Sequence, residues 1–556
     1  MSPSIRVLVV AAVIHSNGVA QQVVRANVDS SGAEATDWSR WPTLSGNGRY
    51  VSFLSASPNL VAGDANGDCD VFVYDRHAGT TDCVSVDPNG IPGNDASGQW
   101  GGDPASMSFD GRYVAFASWA TNLLAGRTTL VGGIYLRDRQ SGTTELVSVD
   151  SNGAQGNGNC DFATMSDDGS IVVFDSDASD LVANDTNQKF DIFVHDRTTG
   201  VTERISVDSS GAEANGDSFG PLVSTDGQVV VFSSNATNLV AGDGNGAWDV
   251  FVHDRRSGTT TRISVDSSGT EATGASAATA FSRDGSTVAF RSSAANLVAG
   301  DGNGVIDLFV HEFASGVTER VSVDSFGNEG DGQSSWAALS SDGRKVAFDS
   351  GATNLVVGDT NAQWDVFLHD RTTGTTVLRS LDPSGIQGDD GSSFPTISAD
   401  GGSIAFESEA DNLVPGDSNG IGDVFVRDDH VAAWTNYGSG FAGTNGVPLI
   451  SAQQDPVLGT SLTVDVGNSY GQPTFGLLLV GFTRADFPTG FGGEVLLVPA
   501  LLVPISFSYG ADSFSCTVPT DVTLAGTTLD VQAVESDPGS AHGVSFTPGL
   551  ELSFGF

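Results

Sequence analysis

Lysine is nearly absent from this 556-residue chain, occurring only as Lys189 and Lys345, and Lys plus Arg total 24 against 68 Asp plus Glu. The formal charge of −44 argues against nucleic acid, whose phosphates demand clustered cations, and against an anionic membrane surface. Cysteine is scarce: Cys69, Cys83, Cys160 and Cys516 match no zinc-ligand spacing. A Cys69–Cys83 disulfide stays open, although the hairpin register offsets the two by about three residues. Long apolar runs are missing. Val7 to Ile14 is too short to cross a bilayer, and the run from Glu494 to Val498 is ended by Pro499 and Pro504. The sequence has no zincin motif, phosphate loop or dinucleotide fingerprint. Gly216-Asp217-Ser218-Phe219-Gly220 fits the spelling of a nucleophile elbow, but it leads into a strand and no helix follows.

What the chain does have is one unit repeated. Asp226-Gly227, Asp284-Gly285, Asp342-Gly343 and Asp400-Gly401 stand 58 residues apart, each followed by Asn-Leu-Val and a polar loop. Asp168-Gly169, Asp110-Gly111 and Asn47-Gly48 extend the series upstream to seven copies. A period of this size with β patterning signals a propeller or a related array. Within one copy, Pro221 to Val223, Val229 to Phe232, Val250 to His253 and Thr259 to Val265 read as strands a, b, c and d. Asx-Gly between apolar runs supplies the a–b hairpin, because that turn needs positive φ. The continuous apolar b strand suits a sheet covered on both faces, and the Thr-rich d strand an outer edge.

The seventh copy lacks strand d, and the missing piece lies at the other end of the chain. Val23 to Gly32 matches Thr261 to Gly269, with Arg25 aligned to Arg262. The N-terminal strand is therefore expected to complete the last blade and close the ring, removing two open edges. The fold expected is all-β: a seven-bladed β-propeller over residues 21–430, closed by the N-terminal strand and followed by a β-sandwich over 431–556. The sandwich expectation rests on short strands between Gly and Pro turns: Ser461 to Val466, Thr474 to Phe482, Glu494 to Val498, Ile505 to Tyr509, Thr528 to Val534 and Leu550 to Phe554. Residues 1–20 read as a secretory signal, with Arg6, a short apolar core and Gly18-Val19-Ala20 as cleavage site, which predicts a secreted, cell-surface or periplasmic protein.

Ser340-Ser341-Asp342-Gly343-Arg344-Lys345-Val346-Ala347-Phe348, followed by Asp365-Val366-Phe367-Leu368-His369-Asp370-Arg371, resembles the TolB-like propeller repeat of the WD40-like PD40 class. The resemblance covers roughly residues 23 to 429 and implies the propeller fold. It implies no single activity, since the class spans binding scaffolds, translocation partners and the propeller halves of peptidases. The C-terminal segment looks like terminal accessory modules of large secreted bacterial proteins.

The candidate chemistry lies in the b–c loop, Gly-Asp-x-Asn-x-x-x-Asp. It occurs as Asp64/Asn66/Asp70, Asp185/Asn187/Asp191, Asp243/Asn245/Asp249, Asp301/Asn303/Asp307, Asp359/Asn361/Asp365 and Asp417/Asn419/Asp423. Alternating oxygen ligands with a Gly for the sharp turn are what calcium loops use, and the first copy adds Asp68. The loop is similar to the integrin-type FG-GAP calcium loop, but departs from it in the place of its last acid. Lys189 stands at the fifth position of one copy, and Arg127 and Gly133 replace both acids in another. The alternative use of Asp and Asn here is to cap their own backbone in an Asx turn. His195, His253, His311 and His369 recur once per repeat, where Tyr74, Arg137 and Arg427 stand in other copies, so they read as a packing slot.

In a propeller the b–c and d–a connections share one face. Glu34, Glu213, Glu271 and Glu329, each five residues past a strand-d Asp, and Trp100 in the insertion from Asn94 to Gly102 then join the acidic loops. Glu213, Glu271, Glu329 and Trp100 are the candidate partner-binding residues, and Ca2+ is the candidate cofactor. The reading is a secreted, non-enzymatic scaffold for an extracellular or periplasmic protein or polysaccharide. A hydrolase, lyase or lactonase using the channel with a metal, or a structural surface or matrix protein, are the alternatives.

Overall fold

The structure is a computed structural model that describes residues 22–64, 66–98, 104–125, 131–429, 433–437, 440–453, 456–457, 460–489, 494–507, 512–518 and 524–555. The expected signal and Trp100 lie outside these. The chain forms two compact units, one of them Val23–Asp429 and the other taking in His430–Phe556.

In the first unit the described residues build seven four-stranded antiparallel sheets, with strands in the order a-b-c-d. One sheet consists of Ser218–Val223, Val229–Ser234, Asp249–Asp254 and Thr259–Arg262, and its a–b turn carries Gly227 at φ 69°. The sheet next in sequence repeats it as Ser276–Phe281, Thr287–Ser292, Asp307–Glu312 and Val317–Arg320. Sheets are numbered here in chain order, which makes these the fourth and fifth.

Strands b and c face their own sheet's partner and both neighbouring sheets, which is why b is apolar without alternation. Phe232 on b stacks on Phe251 on c with ring centroids 5.9 Å apart, and Phe53–Phe72, Phe174–Phe193, Phe290–Phe309 and Phe348–Phe367 repeat the pair in other sheets. Ile171, Val173, Ile192 and Val194 of the third sheet pack against Val230, Phe232 and Phe251 of the fourth, so each inter-sheet seam is a hydrophobic layer. The aromatic pairs add about 0.5–1.5 kcal/mol each beyond the area they bury.

The strand Gln22–Arg25 pairs with Asp423–Asp428 and completes the seventh sheet beside Ser403–Ser408 and Ser392–Ile397. Ala26 N donates to the Val424 carbonyl at 2.8 Å, and Val424 N donates to Asn27 Oδ1 at 3.0 Å. The strands a of successive sheets touch, and that of the seventh, Ser392–Ile397, touches that of the first, Ser39–Leu44. The fold is a β-propeller. All four cysteines are free thiols, and Cys83 sits opposite Phe72, three residues beyond Cys69.

The second unit contains an antiparallel sheet ordered Ala433–Tyr437, Gly549–Ser553, Thr528–Ser536, Thr474–Gly481, Leu501–Phe507, with Val544–Phe546 pairing Thr528–Ser536. A three-stranded sheet, Ile450–Ala452, Ser461–Val466 and Asp512–Thr517, contributes Ile450, Leu462, Val464 and Val466 to the same core as Phe507, Val531, Leu550 and Leu552. No α-helix occurs among the described residues. None is long and apolar enough to cross a membrane.

Candidate functional site

The b–c and d–a loops meet, and an arginine from strand d stands between them. Arg262 Nη1 lies 2.5 Å from Glu271 Oε1, 3.6 Å from Asp249 Oδ2 and 3.7 Å from Asp243 Oδ1. Arg320 holds Glu329, Asp307 and Asp301 at 2.7, 3.3 and 3.6 Å, and Arg204 holds Glu213, Asp185 and Asp191 at 3.0, 3.3 and 3.4 Å. In the seventh sheet Arg25 meets Glu34, with Asp423 at 3.1 Å and Asp417 at 3.5 Å. The carboxylate oxygens of Asp243, Asp249 and Glu271, and of Asp301, Asp307 and Glu329, converge within 4.8 Å, as around an ion, but a guanidinium is the cation among them. Three carboxylates around one arginine leave each cage negative. Burial pushes Asp191 up to about 6 and raises Asp243, Asp249 and Asp301.

The loop asparagines are turned toward the protein. Asn245 Oδ1 accepts Ala247 N at 2.7 Å, an Asx turn, and its Nδ2 donates to Asp249 Oδ2 at 2.9 Å. Asn66, Asn187, Asn303, Asn361 and Asn419 each accept the N–H two residues on in the same way.

Of the six acidic copies, two lack the arginine. In the sixth sheet Leu378 takes its place, and Gln387 Nε2 bridges Asp359 Oδ1 at 2.9 Å and Asp365 Oδ2 at 2.8 Å. In the first sheet Cys83 replaces the arginine and Pro92 the glutamate, while Asp68 adds a carboxylate. Asp64 is 8% exposed and Asp70 fully buried, and neither forms an ion pair among the described residues. Asp70 takes hydrogen bonds from Ser85 Oγ at 2.5 Å and Asn66 Nδ2 at 2.9 Å, yet burial pushes it up to about 7.

Glu213, Glu271 and Glu329 are parts of these cages and also cap the b–c loops: Gly244 N donates to Glu271 and Gly302 N to Glu329, both at 3.1 Å. The repeated histidines are buried. His195, His253, His311 and His369 each place Nδ1 2.9 Å from a strand-d threonine hydroxyl, and burial lowers their pKa.

The repeat breaks at the inner end of strand b. Its fifth position reads Leu54, Ala117, Asp175, Ser233, Arg291, Asp349 and Glu407 through the seven sheets. Where it is a carboxylate, it accepts the N–H of the third residue of the next sheet's strand a: Asp175 from Gly220 at 3.0 Å, Asp349 from Phe394 at 3.0 Å, Glu407 from Trp41 at 3.1 Å. Those three residues have φ of 62°, 51° and 50°, a left-handed backbone that costs a non-glycine residue about 1–2 kcal/mol. The carboxylate offsets that strain by satisfying an amide that the bulge in strand a takes out of the ladder. Burial pushes Asp349 to about 6 and Glu407 to about 7.

The third position of strand a holds Trp41, Phe162, Trp336 and Phe394, but Gly220 and Ala278 in the fourth and fifth sheets. Where the aromatics are missing, a cavity of about 690 Å³ opens at the mouth of the channel, on the same face as the acidic loops. Phe219 and Trp248, 5.8 Å apart, form one wall, and Phe162 and Trp336 also line it. Arg291 and Thr279 lie in the fifth-sheet part of the lining and Asp161 in the third-sheet part.

No family model matches the chain, and no curated protein does. Among solved structures it is similar to a putative TolB from Agrobacterium tumefaciens, at 18% identity over 50% of this chain and 79% of that one, with a TM-score of 0.31. The periplasmic gluconolactonase PpgL of Pseudomonas aeruginosa matches at 17% identity over 63% and 85%, with a TM-score of 0.32. The WD40 repeats of RRP9 match at 9% identity over 73% and 97%, with a TM-score of 0.38. Likenesses this distant say nothing of what the chain binds.

Proposed function

We propose that this protein is a secreted, non-catalytic binding scaffold: a seven-bladed propeller with a C-terminal β-sandwich as accessory module, taking its ligand in the cavity at the channel mouth. The observation that carries the reading is the coincidence of the cavity with the break in the repeat. Four sheets carry an aromatic at the third position of strand a; the two that have Gly220 and Ala278 there flank the space. Its size falls in the range of about 300–1,000 Å³ typical of small-molecule sites, and aromatic walls with a few polar groups are the usual lining. The acidic loops around it steer cationic groups toward the mouth. A hydrolytic reading would put Asp175 forward as a base, but both its oxygens are held by the N–H groups of Phe162, at 3.2 Å, and Gly220.

The test is a thermal-shift screen of sugars, organic acids, amino acids and short peptides, run on the full chain and on Trp248→Ala. A ligand that raises the melting temperature of the wild type, and does so much less for Trp248→Ala, supports the scaffold. Turnover of that ligand, or equal shifts in both proteins, would overturn it.

Calcium is a second reading for one loop only. Asp64, Asp68 and Asp70 form the acidic set that has neither the arginine nor a bridging glutamine, so this is the copy in which a bound cation would do what Arg262 does elsewhere.

A further inference from the structure

The cavity is charged oppositely at its two ends. Arg291 lines it from the fifth sheet; its one hydrogen bond among the described residues is to Ser335 Oγ at 3.1 Å, and it forms no ion pair. Thr279 lies in the same strand pair, 6% exposed, with its hydroxyl lacking any partner among the described residues, where the other well-formed strands a carry Pro or Ala. Asp161 lines the cavity from the third sheet, likewise without an ion pair among the described residues, and Asp177 stands near enough to raise its pKa further after burial. Between the two ends lie the faces of Phe219 and Trp248.

Arg291 reaches the next sheet, where it bonds Ser335 and lies near enough to the buried Asp349 to lower its pKa, but that carboxylate is already held by the N–H groups of Trp336 and Phe394. At the place equivalent to Arg291, Asp175, Asp349 and Glu407 are spent on backbone amides of the neighbouring sheet, and the strand-d arginines of the cages meet three carboxylates each. A guanidinium without a direct ion pair and a carboxylate facing a second carboxylate, in a half-enclosed space, lose hydration that a ligand bearing the opposite charges would replace. A purely anionic ligand would meet Asp161 and the acidic rim. A purely cationic one would meet Arg291.

We propose that the cavity binds a zwitterion of the short-peptide class, with its carboxylate on Arg291 and the Thr279 hydroxyl, its ammonium on Asp161, and its apolar side chains against Phe219 and Trp248. The ammonium also gains from the aromatic faces. The inference rests on the cavity being the binding site and adds the identity of what enters.

The experiment is calorimetric titration of the full chain with leucyl-leucine, its N-acetyl form and its C-terminal amide. The free dipeptide is expected to bind, and each capped form to bind about ten- to hundred-fold more weakly, the range of one lost charge-assisted bond. In Arg291→Gln the free and amidated peptides should bind alike, and in Asp161→Asn the free and acetylated ones, with Arg291→Lys keeping part of the discrimination. Equal binding of all three peptides, or none by a protein that melts as a folded chain, overturns the inference. If a different class of ligand binds and loses affinity in Trp248→Ala, the scaffold reading stands and only the zwitterion falls.

Discussion

Glu407 of the seventh sheet accepts the backbone N–H of Trp41 in the first sheet at 3.1 Å, across 366 residues of chain. The contact joins the last sheet to the first, and it holds Trp41 in a left-handed conformation at the channel mouth. Burial pushes the Glu407 carboxyl up to about 7, and that of Asp349 in the equivalent place to about 6.

A pH dependence follows. Both pKa values are raised above those of the unfolded chain, so the stability these groups contribute is complete in acid and declines as pH rises from about 4 through 7. The melting temperature is expected to fall over that range. Glu407→Gln keeps the acceptor for Trp41 and can donate to Ser393, so it should be more stable than wild type above pH 7, on the order of 2 kcal/mol, and less so in acid. Thermal melts of both proteins at pH 5 and pH 8 check it; an identical pH response would show that Glu407 is not buried as described.

Deleting residues 23–29 removes the strand that covers Asp423–Asp428, and with it Arg25, the cation between Asp417 and Asp423. The truncated protein should aggregate and melt well below wild type, since an open strand edge is left at the seam of the ring. Light scattering and calorimetry decide it, and an unchanged monomer at an unchanged melting temperature would mean that the strand does not close the ring.

The strands, the Asx-Gly turns and the N-terminal strand of the seventh sheet were legible because each is a local pattern repeated at a fixed interval. The six strands expected beyond Ser461 recur with small shifts, the largest at Leu501–Phe507, which begins four residues before Ile505. Arg204, Arg262 and Arg320 were visible as a column 58 residues apart, but nothing in the chain says which carboxylates a strand-d arginine meets. The loop acids were visible as candidate calcium ligands or Asx-turn caps, while the arginine that stands among them was not. The cavity was harder still. It is defined by what Gly220 and Ala278 lack, and strand a read only as small and apolar. Arg291 and Glu407 share a repeat position whose partners lie on the next sheet, so its chemistry appears only once neighbouring sheets are in contact.

Removing an internal cation should create a need for another. Arg262→Met leaves Asp243, Asp249 and Glu271 facing one another, which should destabilise the protein by about 3–5 kcal/mol in the presence of a chelator. Millimolar calcium should restore part of the loss, because the three carboxylates already converge. Denaturant melts with chelator and with calcium test it, and a variant as stable as wild type in chelator would show that the guanidinium does not hold the loops together.

The proposal that the first-sheet loop takes calcium can be tested in the wild type. Calcium should raise the melting temperature, magnesium should do so less, and Asp64→Asn with Asp68→Asn should remove the effect. The increment should grow from pH 5 to pH 8, because Asp70, pushed up to about 7, must ionise to bind. No calcium increment at pH 8 would assign the loop to Asx-turn capping.

The most direct measurement is calorimetric titration of a ligand found for the wild type into Ala278→Trp. That substitution restores the aromatic that Trp41 and Trp336 supply in other sheets and fills the cavity without touching the acidic loops. The fold should be unchanged and binding abolished. Undiminished affinity in Ala278→Trp would contradict it, because the ligand would then bind somewhere other than the channel mouth.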